Sequence, residues 1–258
     1  MQTMNSDKSD KKRVVTLFAC IVMTLVFLSA GCASAAATPP EEAWSKTFGG
    51  TNPDWAEAVQ QTADGGYILV GTTQYTADNT NVWLLKTYSN GTRQWDQTFG
   101  GPLQDWGYSV QQTSDNGYII AGKTFSYDQH GHGLFDVWLF KTNSDGEGLW
   151  GQTFGGSDGD WAYSVQQTKD NGFIVAGGTH SFSAGFWADA WLVKTYFNGE
   201  VQWEQTFGGT DSSDVAYAVQ QTSDGDYIIA GYTKSYGAVS KDAWLLKTNS
   251  DGDESWNK

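Results

Sequence analysis

The chain has 258 residues, 29 acidic against 15 basic, a formal net charge of −14 and two cysteines. Setting aside the four basic and two acidic residues of the first 31 leaves the remainder 16 charges negative. That balance argues against a nucleic-acid partner, whose binding rests on neutralised phosphates, and against docking on anionic membrane surfaces. Cys20 lies in the leader, so at most Cys32 remains and no intramolecular disulfide can form.

Lys8, Lys11, Lys12 and Arg13 precede an apolar run of 17 residues, Val14 to Ala30. A basic head, a short apolar run and then small residues form an export signal. A retained membrane helix, which needs roughly 20 apolar residues, is the weaker expectation. Leu28-Ser29-Ala30-Gly31-Cys32 resembles a lipobox with Cys32 as the lipidated residue, although Ser29 stands where leucine is usual. Cleavage at Ala35 or Ala37 would give simple secretion instead. The expectation is a leader over 1–32, a Pro-rich tether over 33–42, and an extracellular, cell-surface protein from 43 to 258.

That remainder is a repeat. Trp44, Trp95, Trp150, Trp203 and Trp256 recur at spacings of 51, 55, 53 and 53 residues, and a period of this size marks a repeat architecture. In the third unit, strands are predicted at Ala162–Thr168, Phe173–Gly178, Ala190–Thr195 and Gln202–Phe207. They are separated by turns at Lys169–Gly172, Asn198-Gly199 and Gly208-Gly209. Asn-Gly or Asp-Gly recurs at 90–91, 145–146, 198–199 and 251–252, and both central residues of a two-residue hairpin take positive φ. The predicted fold is all-β: a β-propeller of four-stranded blades, four in number, with the strand at Trp44–Phe48 completing the last blade. The fifth copy is cut short at Trp256, so the competing expectation is an open or truncated array whose edge strands invite dimerisation.

Positions that recur in all units are read as architecture. Small residues (Ala56/Ala58, Gly107/Ser109, Ala162/Ser164, Ala216/Ala218) let first strands converge near an axis. Trp83, Trp138, Trp191 and Trp244 supply plates between blades. The pairs Gln60-Gln61, Gln111-Gln112, Gln166-Gln167 and Gln220-Gln221 make polar contacts between strands or line a channel. Lys86, Lys141, Lys194 and Lys247 are read as salt-bridged, with Asp136, Asp189 and Asp242 as partners, in preference to a cationic ring.

The unit Trp-x-x-Thr-Phe-Gly-Gly, then Tyr-Ser-Val-Gln-Gln-Thr-x-Asp-x-Gly-Tyr-Ile-Ile-Ala-Gly, then Asp-x-Trp-Leu-Leu-Lys-Thr resembles repeats of secreted or surface-anchored archaeal and bacterial β-propeller proteins. It is also similar to the kelch-like blade in strand order. The resemblance spans nearly all of 43–258 and implies a fold, not an activity. Segments such as Asp145 to Trp150 resemble the Asp-box of sialidase propellers, but with the glycine directly after the acidic residue, which implies a hairpin-stabilising role alone.

Function is expected where the units differ. The loops between second and third strands vary: Gln74–Asn81, Phe125–Phe135, His180–Ala188 and Lys234–Lys241. They hold His130, His132 and His180 and the aromatic residues Tyr127, Phe135, Phe182, Phe186, Trp187 and Tyr236, on the face where binding residues concentrate. Tyr127, His130, His132, Phe135, His180, Phe186, Trp187 and Tyr236 are the candidate ligand contacts. Asp128–His132 with His180 forms at most a partial metal half-site, read as a polar loop. Asp54, Asp105, Asp158, Asp160, Asp211 and Asp214 are read first as turn and cap residues, second as Ca²⁺ ligands, third as a glycosidase acid–base pair. No triad, phosphate loop or cofactor motif is present, so no catalytic residue is assigned. The reading is a surface-exposed, lipid-anchored binding or adhesion module for a glycan or an envelope protein. The alternatives are an extracellular carbohydrate-active enzyme and a structural or truncated repeat protein.

Overall fold

The computed structural model describes residues 43–76, 78–127, 134–237 and 240–258. Cys32, His130 and His132 lie outside them. Among the described residues there is no helix, and hence none long and apolar enough to cross a membrane. They form four antiparallel sheets of four strands, each a meander in chain order. The first holds β1 (Asp54–Gln61), β2 (Tyr67–Thr76), β3 (Asn79–Thr87) and β4 (Arg93–Phe99). The second holds β5 (Asp105–Gln112), β6 (Tyr118–Thr124), β7 (Asp136–Thr142) and β8 (Gly148–Phe154). The third holds β9 (Asp160–Gln167), β10 (Phe173–Thr179), β11 (Asp189–Thr195) and β12 (Val201–Phe207). The fourth holds β13 (Val215–Gln221), β14 (Tyr227–Thr233), β15 (Asp242–Thr248) and β16 (Glu254–Asn257).

Two local expectations change. In the Asn-Gly and Asp-Gly hairpins only the glycine is left-handed, with φ of 76° at Gly91, 81° at Gly146, 84° at Gly199 and 88° at Gly252. The Gly91 N–H donates to Tyr88 O at 3.0 Å and the Tyr88 N–H to Thr92 O at 2.8 Å. This is the longer hairpin, a turn followed by one left-handed residue. The glycine is required twice over, because a Cβ at Gly146 would lie 2.7 Å from the Trp95 ring.

The second change concerns the clasp. Trp44–Phe48 forms no strand and does not complete the last sheet. That sheet is finished by β16, which pairs Thr248 with Glu254, Lys247 with Trp256 and Leu246 with Asn257. A hairpin of a few residues costs far less closure entropy than a strand returning from the other end of the domain. Trp44 instead packs on Tyr67 of the first sheet, ring centroids 5.9 Å apart.

The core lies between consecutive sheets. One face of the first sheet (Ile68, Val70, Val82, Leu84) packs on the second (Val110, Tyr118, Ile120, Trp138, Phe140). Ile119, Ala121, Val137 and Leu139 on the far face of the second meet Val165, Phe173, Val175 and Trp191. Ile174, Ala176, Ala190 and Leu192 then meet Val219, Tyr227, Ile229 and Trp244. The alternation along each strand sends successive side chains to opposite interfaces, so the middle sheets are buried on both faces. Each large side chain so buried contributes roughly 1.5–3 kcal/mol.

Polar ladders follow the same path. The Gln112 N–H donates to Gln60 Oε1, Gln167 to Gln111 and Gln221 to Gln166, each at 2.5 Å. In return Ala63, Ser114 and Lys169 N–H donate to Gln112, Gln167 and Gln221. The lysine pairing also departs from expectation. Lys86, Lys141 and Lys194 are buried and bridge to the turn carboxylates Asp64, Asp115 and Asp170, while Lys247 reaches Asp224 and Asp226. Asp136 and Asp189 begin the strands that Lys141 and Lys194 nearly end, about 16 Å away at strand rise.

Candidate functional site

On the face formed by the loops between second and third strands, aspartates tie the sheets' ends together. Asp105 accepts from Thr124 Oγ1, from Ser126 Oγ at 2.8 Å and from Gly101 N–H at 2.9 Å. Asp160 accepts from Ser181 Oγ at 2.6 Å and Gly156 N–H at 3.0 Å, and Asp214 from Thr233, Ser235 and Gly209. All three are fully buried. Each thus joins a Gly-Gly turn to a Thr-x-Ser loop start, and its lone pairs are committed to the scaffold. Asp189 is buried beside Asp214, with one oxygen taking the Ala184 N–H at 2.8 Å and Oδ1 unpartnered. Burial holds its carboxyl above the ordinary range; Ala184 opposes that shift and the Asp214 charge adds to it.

Above this frame lies an open cavity of about 620 Å³ lined by Leu134, Phe135, Asp158, His180, Phe186 and Trp187. Phe135, His180, Phe186 and Trp187 thereby come together from two different loops. Phe186 is 84% exposed and stands at 89° to Trp187, ring centroids 5.4 Å apart. Phe135 lies against Gly159, where a Cβ would come within 2.8 Å of its ring. Its carbonyl accepts from Asp160 N–H at 2.7 Å, fixing the loop to the next sheet. The His180 ring packs on Trp161 with centroids 5.6 Å apart.

Tyr127 and Tyr236 sit elsewhere. Tyr127 stacks on Trp138 at 5.2 Å and donates its hydroxyl to Gly100 O at 3.0 Å. Tyr236 stacks on Trp244 at 5.6 Å, and Phe182 on Trp191 at 5.3 Å. These three rings follow the recurring Thr-x-Ser and cap the third-strand tryptophan of their own sheet.

The residues not singled out from sequence are Trp106, Trp161, Lys123 and the bulged tyrosines. Trp106 packs on Phe125, Phe125 on Phe135 and Phe135 on Trp161, at 5.9, 5.3 and 5.9 Å. Lys123 Nζ lies 4.4 Å from the ring centres of both Trp106 and Phe135, and burial lowers its pKa. Tyr108, Tyr163 and Tyr217 occupy β-bulges of the first strands and stack in a row at 5.3 and 5.1 Å. A usable signal existed: Lys123 stands where the other sheets have Thr72, Gly178 and Tyr232. Variation between units was informative inside strands as well as in loops.

No family model matches the chain, and no curated protein matches it. A crystal structure of a protein of unknown function from Dyadobacter fermentans DSM 18053 superposes with a TM-score of 0.57 at 10% identity, over 80% of this chain and 69% of that one. The likeness is one of fold.

Chemically, the cavity offers aromatic faces, an imidazole and one carboxylate, Asp158. The paired carboxylates of a glycosidase need a definite separation across a site, and the neighbouring Asp160 is committed to the scaffold. Among the described residues no three His, Cys, Asp or Glu side chains converge to hold a metal ion.

Proposed function

We propose that the four sheets are consecutive blades of a β-propeller displayed outside the cell by the N-terminal leader, and that it is a glycan-binding module. The observation that carries this reading is the exposed perpendicular pair Phe186–Trp187 at the mouth of the 620 Å³ cavity. Sugar rings present C–H faces to aromatic plates and hydroxyls to polar groups. Phe135, Phe186 and Trp187 provide the plates, while His180 and Asp158 provide donor and acceptor. An acidic surface suits a neutral polysaccharide better than a polyanionic one.

The test is binding of the full chain to a panel of neutral and acidic polysaccharides by calorimetry. Truncating an aromatic hot spot costs about 2 kcal/mol or more, so Trp187→Ala is expected to weaken binding about 30-fold. Tyr127→Phe, which removes a hydroxyl already bonded to Gly100, leaves binding unchanged. Absence of polysaccharide binding, or binding indifferent to Trp187→Ala, would sink the glycan reading.

A further inference from the structure

In the second, third and fourth sheets the first strand lies at an edge, and it takes partners for outward N–H groups from the preceding sheet. Val165 and Val219 N–H donate to Ser109 Oγ and Ser164 Oγ, each at 3.2 Å. Gln112, Gln167 and Gln221 N–H donate to the side-chain oxygens of Gln60, Gln111 and Gln166. These bonds satisfy backbone donors that an edge strand would otherwise leave open. A backbone N–H can only donate, so each of the three amides must turn its oxygen toward the strand it serves. That choice fixes which end of each amide is nitrogen. The NH₂ groups on the same carbons bond to nothing among the described residues. The chain therefore carries three hydrogen-bond donors whose direction is set and whose capacity is unused.

Gln60, Gln111 and Gln166 line one cavity of about 490 Å³, with Gln220 beside them. Its other walls are aliphatic: Val110, Val165 and Val219 of the first strands face Ile228, Ala230 and Leu245 of the fourth sheet. It shares no residue with the aromatic cavity on the loop face. Apolar walls around a few placed polar groups, at this volume, are the make-up of a small-molecule site. Among the described residues no charged side chain lines it. The recurring lysines Lys86, Lys141 and Lys194 are committed to Asp64, Asp115 and Asp170, and the chain beyond its leader is 16 charges negative. An anion entering here would lose its hydration with no cation to replace it, which is costly. A neutral molecule escapes that cost. The amide ends that are fixed all present donors, so the polar group that matches them is an acceptor.

We propose that this cavity is a second ligand site, and that it takes a neutral carbonyl compound with an aliphatic body, such as a ketone or an ester. The carbonyl oxygen accepts from the glutamine NH₂ groups, and the chain lies against Val165, Val219 and Leu245. Leaving those amides unpaired beside an apolar ligand would cost the desolvation of each donor, so a bare hydrocarbon binds more weakly than a ketone of the same length. A carboxylate offers the same acceptor but brings a charge the cavity does not balance. The site stands apart from the glycan reading, and neither rests on the other.

The experiment is calorimetric titration of the full-length chain in detergent with 2-heptanone and with heptanoate, protein-free micelles serving as the blank. The ketone is expected to bind and the carboxylate to bind at least tenfold more weakly. Gln111→Glu keeps an oxygen for the Gln167 N–H and replaces the NH₂ group by a second carboxylate oxygen. It is expected to keep the wild-type circular dichroism and to weaken 2-heptanone by roughly tenfold or more. Ala230→Phe, at an exposed position on the cavity wall, fills the space and is expected to abolish binding; it decides the matter if Gln111→Glu fails to fold. Failure of 2-heptanone to bind, heptanoate bound as tightly as the ketone, or a folded variant that binds the ketone like wild type would overturn the proposal. Polysaccharide binding measured on the same two variants is expected to be unchanged, because the loop cavity is untouched by either substitution. Conversely, loss of polysaccharide binding in Trp187→Ala with 2-heptanone still bound concerns only the loop face.

Discussion

At the scale of single residues, the recurring carboxylates divide into two kinds with opposite responses to pH. The turn aspartates are held below the ordinary range. Asp64 is lowered by the Lys86 ammonium together with Thr62. At Asp115 and Asp170 burial pushes upward, but hydrogen bonds from Thr113 and Lys141, and from Lys194 and Thr168, outweigh it. Asp224 falls to about 2 through Thr222 and then Lys247. Groups with depressed folded pKa values add stability that is full above their unfolded value, near 3.8, and is lost as pH falls toward the folded values. Melting temperature is therefore expected to drop steeply below pH 4, and Lys194→Met to flatten that drop while destabilising the chain at pH 7. A drop of unchanged steepness in Lys194→Met would contradict the assignment.

Asp189 has the opposite sign. Its folded pKa is raised, so its charge opposes folding at neutral pH and the opposition fades as pH falls through the folded value. The first sheet already carries Asn81 at this register, facing Asp105 as Asp189 faces Asp214. Asp189→Asn keeps an acceptor for Ala184 and places an amide beside Asp214. It is expected to raise the melting temperature at pH 7, by about 2–4 °C for each kcal/mol gained in a domain of this size. The gain should vanish in acid; a lower melting temperature at pH 7 would show that the Asp189 charge is needed.

At the scale of elements, strand positions were legible because the period is strict. Phe173 to Gly178 was predicted and β10 runs Phe173–Thr179; Gln202 to Phe207 was predicted and β12 runs Val201–Phe207. The turn type was not legible, because Asn-Gly serves both the two-residue hairpin and the longer one, and only backbone angles separate them. The lysine partners were missed for a related reason. Sequence shows that Lys194 and Asp189 recur together, whereas pairing brings Lys194 opposite Ile174, beside the turn that holds Asp170. Of the candidate site, Phe135, His180, Phe186 and Trp187 do share one cavity, since loops that differ between units must leave the common packing. Tyr127 and Tyr236 do not line it, and their recurrence with Phe182 after Thr-x-Ser was the overlooked sign. The hairpin glycines give an element-scale test. Gly146→Ala forces a left-handed alanine and drives a methyl into Trp95, whereas at Gly65, with φ of 80°, an added methyl would meet no side chain or backbone atom beyond its chain neighbours within 4 Å. Gly65→Ala is expected to cost about 1 kcal/mol and Gly146→Ala about 2–4 kcal/mol, the excess being overpacking. Urea denaturation of both variants checks this, and equal costs would remove the Trp95 contact from the account.

At the scale of the whole molecule, stability is distributed by junction, because each sheet buries its faces only against its neighbours. The same leucine therefore has different worth in different sheets. Leu192→Ala removes a side chain that is 0% exposed within the third junction, and a cost of 2–5 kcal/mol is expected. Leu245→Ala at the matching register removes a side chain that is 41% exposed. Its expected cost is within about 0.5 kcal/mol. Thermal melts of both variants at pH 7 separate the two positions. A large loss for Leu192→Ala beside a small one for Leu245→Ala ties the worth of a repeated leucine to the junction it fills, and equal losses would mean that the fourth sheet is covered in some way the repeat does not specify.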